Sequence, residues 1–311
     1  MARFSIGTAI GEAFGLVRRR PLSVFVWGLL LMAPVMAGMG LMLPMMGDLF
    51  SSMPAHGGNP DHWGPEFHAR MMQFQGANAL MQLGQLALTV VVYTAIMRAV
   101  VRPRERSFFS LRLGMDELAV LVVGIAVMVG LYAGMIVLGL LGVGIGFGVW
   151  GLGAPANGLI IAAMVVVFVL AILLALARVS LIAPASVLTR SFAFVEGWRM
   201  GRGRTGALFG MSVLIVLIIL AVELVLMAIG FGVFAVAANT GMDWSFHRGP
   251  MDGNPFAGAE PFLRAHWPWL ALAAVAFSGV YGMLITLSVA PYASACRQLA
   301  AAAAPTADDA H

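Results

Sequence analysis

A row of polar side chains follows one face of an otherwise apolar segment that runs from Gln73 to Arg98. At 100° per residue in an α-helix, these side chains fall within an arc of about 80°. The members of this amide stripe are Gln75, Asn78, Gln82, Gln85, Thr89 and Tyr93. Amides recognise hydroxyls and phosphates by hydrogen bonding but cannot shuttle protons, so the stripe suits binding more than acid–base chemistry.

Lipid offers such polar groups no partner, so we expect the stripe to face other helices or water inside a helical bundle. Two interpretations follow. The stripe holds neighbouring helices together, or it forms the polar wall of a path for a substrate or a lipid headgroup.

Glu223 is a second candidate, because it is the acidic residue that lies well inside an apolar segment. A carboxylate in the membrane costs several kcal/mol unless it is paired or protonated, so it is a functional candidate by default. The alternative is a structural hydrogen bond to the amide stripe or to Ser212. We expect Glu223 and the stripe to form the polar interior of the protein.

The composition explains why polar residues are informative in this chain. Of its 311 residues, 61% are hydrophobic and only 10% are charged, which is typical of an integral membrane protein. Apolar runs long enough to cross a bilayer predict an all-α protein with six transmembrane helices. The predicted spans are residues 22–47, 74–97, 118–141, 159–177, 207–237 and 267–288.

These spans form one transmembrane domain, residues 1–300, which a disordered cytoplasmic tail follows at 301–311. We expect the glycine-rich stretch from Gly142 to Gly158 to be a short, partly buried loop between the third and fourth spans. The Gly130–Gly134 pair of the third span is typical of close helix packing.

The chain contains no lysine, so the positions of its arginines alone indicate its orientation in the membrane. Fifteen of its eighteen arginines fall in alternate connections on one side, and Arg70, Arg248 and Arg264 fall on the other. The positive-inside rule therefore predicts a multi-pass protein of the bacterial inner membrane with both termini in the cytoplasm. Arginines that flank helices rest on anionic headgroups, so they do not indicate nucleic-acid binding.

A short amphipathic segment precedes each odd-numbered span. Apolar residues recur at helical spacing in three places: Ile6, Ile10, Ala13, Phe14 and Val17; Phe108, Leu111, Met115 and Leu118; and Leu188, Phe192, Phe194, Val195 and Trp198. Each segment begins near a serine that could cap a helix, namely Ser5, Ser107 or Ser191. The pattern predicts three pseudo-repeated transmembrane hairpins, each preceded by an amphipathic helix at the membrane interface.

The third repeat carries a resemblance to a known family. The run RVSLIAPASVLTRSFAFVEGWRMGRGRTGALFGMSVLI, from Arg178 to Ile215, resembles the integral membrane domain that precedes some bacterial glycerophosphodiester phosphodiesterases and related stand-alone inner-membrane proteins. The resemblance implies six helices and a link to membrane lipids. It implies no catalytic residue, because too few residues remain for the phosphodiesterase barrel.

Metal handling is a third hypothesis. His56, His62 and His68 occur in an outer loop, and five methionines of the first span share one helix face; imidazole and thioether groups together suit copper. The histidine spacing matches no compact metal motif, and methionine commonly fills apolar interfaces. We therefore expect no metal, cofactor or catalytic residue.

The favoured function is non-enzymatic binding or transport of a lipid or small amphiphile. The alternative is a structural or regulatory membrane subunit whose stripe joins helices. The expected partners are membrane lipids, with a second copy of the chain or another membrane subunit left open, and no nucleic acid.

Overall fold

The computed structural model describes residues 4–51, 64–105, 108–112, 114–239 and 259–303. Across these ranges the regular structure is helical, and they contain no strand. The α-helices are α1 (Ile6–Arg19), α2 (Pro21–Ser51), α3 (Pro65–Val101), α4 (Met115–Val149), α5 (Ala154–Val179), α6 (Ile182–Thr189), α7 (Phe194–Gly201), α8 (Thr205–Asn239) and α9 (Ala259–Ala303). Two 3-10 turns occupy Phe108–Ser110 and Trp150–Leu152.

Six segments of the described chain are long and apolar enough to cross a membrane. They are Pro21–Leu49, Pro65–Val101, Met115–Val149, Pro155–Thr189, Thr205–Gly232 and Arg264–Ala303. Each predicted span lies within one long helix, so the prediction of six such helices is confirmed and a multi-pass membrane protein is indicated. Three residues of the predicted tail, 301–303, belong to α9, and the rest of the tail lies outside the described residues.

The predicted glycine-rich loop is wrong for most of its length. Helix α4 continues through these glycines to Val149, and the chain reverses over Trp150–Leu152 and Gly153. Gly153 has φ 85°, which glycine adopts without strain, while Trp150 is 80% exposed, so the turn is not buried. A glycine lowers the stability of a helix by about 1 kcal/mol. In apolar surroundings, however, a helix pairs the backbone N–H and C=O groups that a loop would leave unpaired.

The predicted amphipathic helix before the first span is confirmed as α1. Its first turn is capped by Ser5, whose Oγ accepts a hydrogen bond from the Thr8 backbone N–H at 3.3 Å. Ile10 and Ala13 are buried as expected, whereas Phe14 is exposed. On the polar side, Glu12 pairs with Arg297 and accepts a hydrogen bond from Ser294, which ties α1 to α9.

The second predicted amphipathic helix is wrong. Pro103 follows the end of α3, and after residues 106 and 107, which include Ser107 and lie outside the described residues, the chain forms a 3-10 turn. Phe109 and Ser110 have φ 51° and 58°, in the left-handed region, which interrupts any helix there. Met115 and Leu118 belong instead to the start of α4.

The third predicted amphipathic helix is divided into α6 and α7. Arg190 ends α6 in a left-handed conformation, and α7 begins at Phe194. Ser191 does not cap α7; the Ala193 backbone N–H donates to Ser186 Oγ at 3.1 Å instead. The two short helices pack closely, since a Cβ added at Gly197 would lie 2.5 Å from Ile182 Cα.

The chain divides into two compact units. The first unit consists of Met1–Arg19, Tyr93–Ile218 and Thr286–His311, and the second of Arg20–Val92 and Ile219–Ile285. Within the second unit α2 and α9 approach closely, because a Cβ added at Gly28 would lie 1.8 Å from the Ser278 carbonyl oxygen. Gly130 and Gly134 have no comparable neighbour among the described residues, so the close approach uses other glycines than the predicted pair.

Candidate functional site: a charged pocket beside helix α4

The first unit contains a cavity of about 200 Å³ that is lined mostly by charged side chains. It lies between the end of α3, the connection from α3 to α4, the first turn of α4 and the residue that ends α6. We call it the charged pocket; its lining residues are Arg98, Arg102, Glu105, Arg112, Gly114, Met115, Asp116, Glu117 and Arg190.

Arg98 organises one side of the pocket. It is 3% exposed, and its Nη2 donates to Glu117 Oε1 at 2.6 Å and to Asp116 Oδ2 at 3.2 Å. Its Nη1 donates to the Ser110 carbonyl oxygen at 2.8 Å. The left-handed turn before α4 therefore folds around a buried guanidinium, whose charge two carboxylates balance.

Arg102 lies one helical turn further and joins three segments. Its Nη2 donates to Asp116 Oδ2 at 2.6 Å and to the Val187 carbonyl oxygen at 2.6 Å. The Val187 carbonyl belongs to the last turn of α6, where helix carbonyls have no intrahelical partner. Arg102 thus supplies a donor to a helix end and a positive charge to the carboxylates of α4.

Glu105 forms the outer edge of the pocket, between Arg102 at 3.2 Å and Arg190. Burial opposes ionisation of the Glu105 carboxyl, but the two guanidinium groups outweigh it, so the pKa of Glu105 lies below its ordinary value. Glu105 is therefore a carboxylate at neutral pH.

Backbone strain is concentrated around this pocket. The non-glycine residues with positive φ in the described chain are Phe109, Ser110 and Arg190. Ser110 accepts from Arg98, and Arg190 lines the cavity. Such conformations cost roughly 1 kcal/mol or more each, and they persist where surrounding contacts impose them.

Three polar groups of the pocket residues have no hydrogen-bond or ion-pair partner in the described part of the chain. Glu117 Oε2 and Arg102 Nε are buried and have no hydrogen-bond partner there. The Arg112 side chain is exposed and forms no ion pair with any residue in the described ranges. The pocket therefore offers both a buried acceptor and a free cation.

An exposed apolar stripe on α4 begins at the pocket. Its first residue, Met115, lines the cavity and is 65% exposed. Residues at helical spacing continue this apolar stripe along α4, and all are exposed: Leu118, Val122, Ile125, Val129, Tyr132 and Ile136. At 100° per residue they share an arc of about 100° with Met115. The helix therefore presents a polar cavity at one end and a continuous apolar surface leading away from it.

The structure divides the predicted amide stripe. Gln75 and Gln82 are exposed, whereas Asn78, Gln85, Thr89 and Tyr93 are half-buried. Gln85 Nε2 donates to the Leu31 carbonyl oxygen of α2 at 3.3 Å, and Thr89 Oγ1 donates to the Gln85 carbonyl oxygen of its own helix at 2.7 Å. The stripe thus lies at the border between the packed and the exposed faces of α3.

Glu223 lies on α8 with an exposed side chain. Within the described part of the second unit it makes no hydrogen bond to the stripe residues of that unit. In the first unit, Ser212 accepts a hydrogen bond from the Tyr292 hydroxyl at 2.9 Å. The role of Glu223 stays a prediction.

Of the candidate metal ligands, His56 and His62 lie outside the described residues. His68 is exposed on α3, with Nδ1 3.2 Å from the Gly64 carbonyl oxygen. No cluster of three His, Cys, Asp or Glu side chains suited to a metal occurs in the part of the chain that is described. The metal hypothesis stays a prediction about residues outside it.

Sequence reasoning missed the charged pocket, because it assigned Arg98, Arg102, Arg112 and Arg190 to topology alone. One local signal was present: Arg98 and Arg102 are four residues apart and share a helix face. The adjacent carboxylates Asp116 and Glu117 open the next apolar helix, where negative charge complements the helix dipole. Nothing in the sequence indicated that these two pairs meet.

Comparison with known proteins found no matching family model, no matching curated protein and no matching solved structure. The geometry of the charged pocket and its surroundings is therefore the basis for inferring a function.

Proposed function

We propose that this protein binds a lipid or small amphiphile in the membrane, without chemistry on it, at the charged pocket. One observation carries the proposal: the polar cavity of about 200 Å³ opens beside the exposed apolar stripe that starts at Met115. An amphiphile has the same two parts in the same order. Its headgroup would occupy the cavity while its acyl chains follow α4.

The arginine distribution supports a location at the cytoplasmic face of a bacterial inner membrane. Arg98, Arg102, Arg112 and Arg190 belong to the arginine-rich side, which the positive-inside rule assigns to the cytoplasm together with both termini. Pairing of long helices into three hairpins would place the ends of α3 and α5 and the starts of α4 and α8 on that side.

The short helices fit this arrangement. α1 and α7 precede the first and fifth predicted spans, and α7 exposes Val195 and Trp198. The Arg178 guanidinium lies 4.3 Å from the Trp198 ring centre, so the indole is held beside a charge. An apolar surface with aromatic and basic groups is typical of a helix at the membrane interface.

The resemblance of the Arg178–Ile215 run to the membrane domain of glycerophosphodiester phosphodiesterases adds support for a lipid ligand. α6, α7 and the start of α8 form that run, and α6 contributes Arg190 to the charged pocket. We propose the family relationship on this pattern alone.

Native mass spectrometry of the purified protein, titrated with short-chain phospholipids in detergent, tests the proposal. We expect saturable binding of one lipid, weakened at least about fivefold by Arg112→Gln, because this variant removes a charged donor from the rim. The matched control is Arg202→Gln, which changes an exposed arginine outside the pocket. Absence of saturable binding for every lipid, or equal weakening by both variants, would contradict the proposal.

One observation favours the alternative of a structural or regulatory membrane subunit. The Gln85 side chain bonds to the Leu31 backbone, so part of the amide stripe already joins two helices of the second unit. The exposed amides Gln75 and Gln82 would then meet another subunit or a second copy of the chain.

Cysteine labelling in intact membranes separates these functions for the stripe. Single cysteines at Gln82 and Gln85 are introduced into a Cys296→Ala background, since Cys296 is the native thiol. Reaction of both with a water-soluble thiol reagent supports a water-filled path, whereas protection of both contradicts such a path and is the result expected of a structural subunit. A cysteine at exposed Arg104 provides the positive control for labelling from the cytoplasmic side.

A further inference from the structure

We propose that the charged pocket selects a zwitterionic phospholipid headgroup with a primary ammonium group, of the ethanolamine type. This inference rests on the proposed function and names its ligand class. The headgroup would place its ammonium against Glu117 and its phosphate against Arg112. Each half of this assignment comes from a group that has no partner among the described residues, Glu117 Oε2 or the Arg112 guanidinium.

Glu117 supplies the acceptor. Its side chain is 8% exposed, and Oε1 is engaged by Arg98 at 2.6 Å, while Oε2 is buried without a donor among the described residues. Leaving a carboxylate oxygen buried and unpaired is costly, so a donor from a ligand is favoured. An ammonium group carries three N–H donors and a positive charge, which suit this oxygen.

Gly114 is the pocket residue that lies beside this oxygen. It lines the pocket, and a Cβ added there would lie 3.8 Å from Glu117 Oε2 and meet no other atom within 4 Å in the described chain. Its φ is −173°, which any residue adopts, so backbone conformation does not require glycine here. The missing side chain therefore leaves space beside Oε2.

Arg112 supplies the cation for the phosphate. Its guanidinium is exposed at the same cavity and has no carboxylate partner in the described ranges, unlike Arg98, Arg102 and Arg190. A free guanidinium can bind two phosphate oxygens in a bidentate arrangement. Exposed Arg104 lines the adjoining depression of about 430 Å³ and adds positive potential there.

The balance of charge favours a zwitterion over a simple anion. Three carboxylates, Glu105, Asp116 and Glu117, line the cavity together with four arginines. The carboxylates repel a phosphate and offset part of the attraction of the four arginines, whereas they attract the ammonium group of a zwitterion. A trimethylammonium headgroup is also disfavoured, because it has no N–H to donate and the lining residues include no aromatic side chain to form a cage.

The size of the cavity agrees with a headgroup. A volume of about 200 Å³ is below the roughly 300–1,000 Å³ of pockets that enclose whole drug-sized ligands, so the acyl chains must remain outside. The exposed residues Leu118, Val122 and Ile125 of the apolar stripe lie where those chains would continue.

Native mass spectrometry with three phospholipids of identical acyl chains tests the inference. The probes carry phosphoethanolamine, phosphocholine and phosphoglycerol headgroups. We expect the ethanolamine lipid to bind about tenfold more tightly than the choline lipid, the effect of one charge-assisted hydrogen bond. Glu117→Gln should abolish this preference, since the amide removes the charge that attracts the ammonium.

Because Glu117→Gln also weakens the ion pair with Arg98, a second variant leaves that pair intact. Gly114→Val fills the space beside Oε2 and should reduce the ethanolamine preference to about twofold or less. Gly124→Val is the matched control on α4, where an added Cβ meets no atom within 4 Å in the described chain, and should retain the preference.

The outcomes distinguish this inference from the proposed function. Saturable binding with equal affinity for the three lipids, or a preference for phosphoglycerol, overturns the headgroup assignment and leaves lipid binding in place. An ethanolamine preference that survives in Gly114→Val also overturns it. Failure of every lipid to bind removes the proposed function, and the headgroup assignment falls with it.

Discussion

The charged pocket of the first unit and the glycine contact of the second unit are formed by different kinds of interaction. In the first unit, Arg98, Arg102 and Arg297 reach carboxylates and carbonyls on other segments. In the second unit, α2 and α9 meet at Gly28 and Gly282 through backbone atoms.

The difference follows from where the helices end. Around the charged pocket three helices begin or end, and their terminal backbone groups need partners that arginine and carboxylate side chains supply. At Gly28 and Gly282 both helices continue, so their backbone groups are already paired and close approach requires only small residues. The charged contacts of the pocket therefore accompany helix ends, whereas the contact of Gly28 with Gly282 joins helix interiors.

Arg98→Ala should have the largest effect on stability, and it tests the ion pairs of the charged pocket. The change leaves the Asp116 and Glu117 carboxylates in a buried site without Arg98, which costs about 3–5 kcal/mol. Thermal or denaturant unfolding in detergent, followed by circular dichroism, measures the loss. Exposed Arg104→Ala is the control, with an expected change within about 0.5 kcal/mol. Equal stability of the two variants would show that the buried pairs do not stabilise the first unit.

Gly28→Ala tests the close contact between α2 and α9 and should cause the second-largest loss of stability. The new Cβ would lie 1.8 Å from the Ser278 carbonyl oxygen, so α2 and α9 must separate, at a cost of about 1–3 kcal/mol. Gly40→Ala in the same helix meets no described atom within 4 Å and should stabilise the helix by up to about 1 kcal/mol. The same unfolding assay compares them, and a stabilising Gly28→Ala would rule out the close contact.

Glu105→Gln should have a smaller effect that depends on pH. The folded protein lowers the pKa of Glu105, so its ionised form contributes stability above the unfolded pKa and loses it as pH falls through the folded pKa. Arg190 is 63% exposed, so the contribution at neutral pH is below about 1 kcal/mol. Unfolding of both proteins across acid and neutral pH should show the difference only at the higher pH. A difference that persists in acid would point to another cause.

Gln85→Leu should have the smallest effect on stability, and it tests the hydrogen bond between α3 and α2 in the second unit. The variant loses the bond to the Leu31 carbonyl, worth about 0.6 kcal/mol, and part of this loss is offset because Gln85 Oε1 is buried and unpaired among the described residues. Gln82→Leu, at an exposed position of the same stripe, should leave stability unchanged. A larger loss from Gln82→Leu than from Gln85→Leu would indicate that the exposed amides meet a partner.

The sequence predicted the long helices well and the connections poorly. Hydrophobicity summed over about 20 residues identifies a span whatever its neighbours are, so all six predicted spans lie within helices. The predicted helix around Phe108 failed, because the Arg98 side chain holds the Ser110 carbonyl in a turn that periodicity cannot reveal. The prediction of a loop in the glycine-rich stretch was wrong, because the low helix propensity of glycine is a weak preference that the surrounding residues override.

The candidate sites show the same limit. The amide stripe was visible as a pattern because its members lie on one helix, and the bond from Gln85 to Leu31 shows that only part of it is packed. The charged pocket was invisible, because Arg102 meets Val187 and Arg190 meets Glu105 across 85 residues of sequence. The number of arginines in each connection predicts the side of the membrane on which they lie. It does not predict which residues they contact.

The sequence alone determined that six long apolar helices form and where their cores lie, because burial of apolar surface and helix formation depend on runs of neighbouring residues. Tertiary structure decided which arginines are buried, which glycines meet and which carboxylate oxygen has no donor among the described residues. Those outcomes depend on distances of a few ångströms between segments far apart in the chain, and hydrogen bonds and ion pairs form only at such distances.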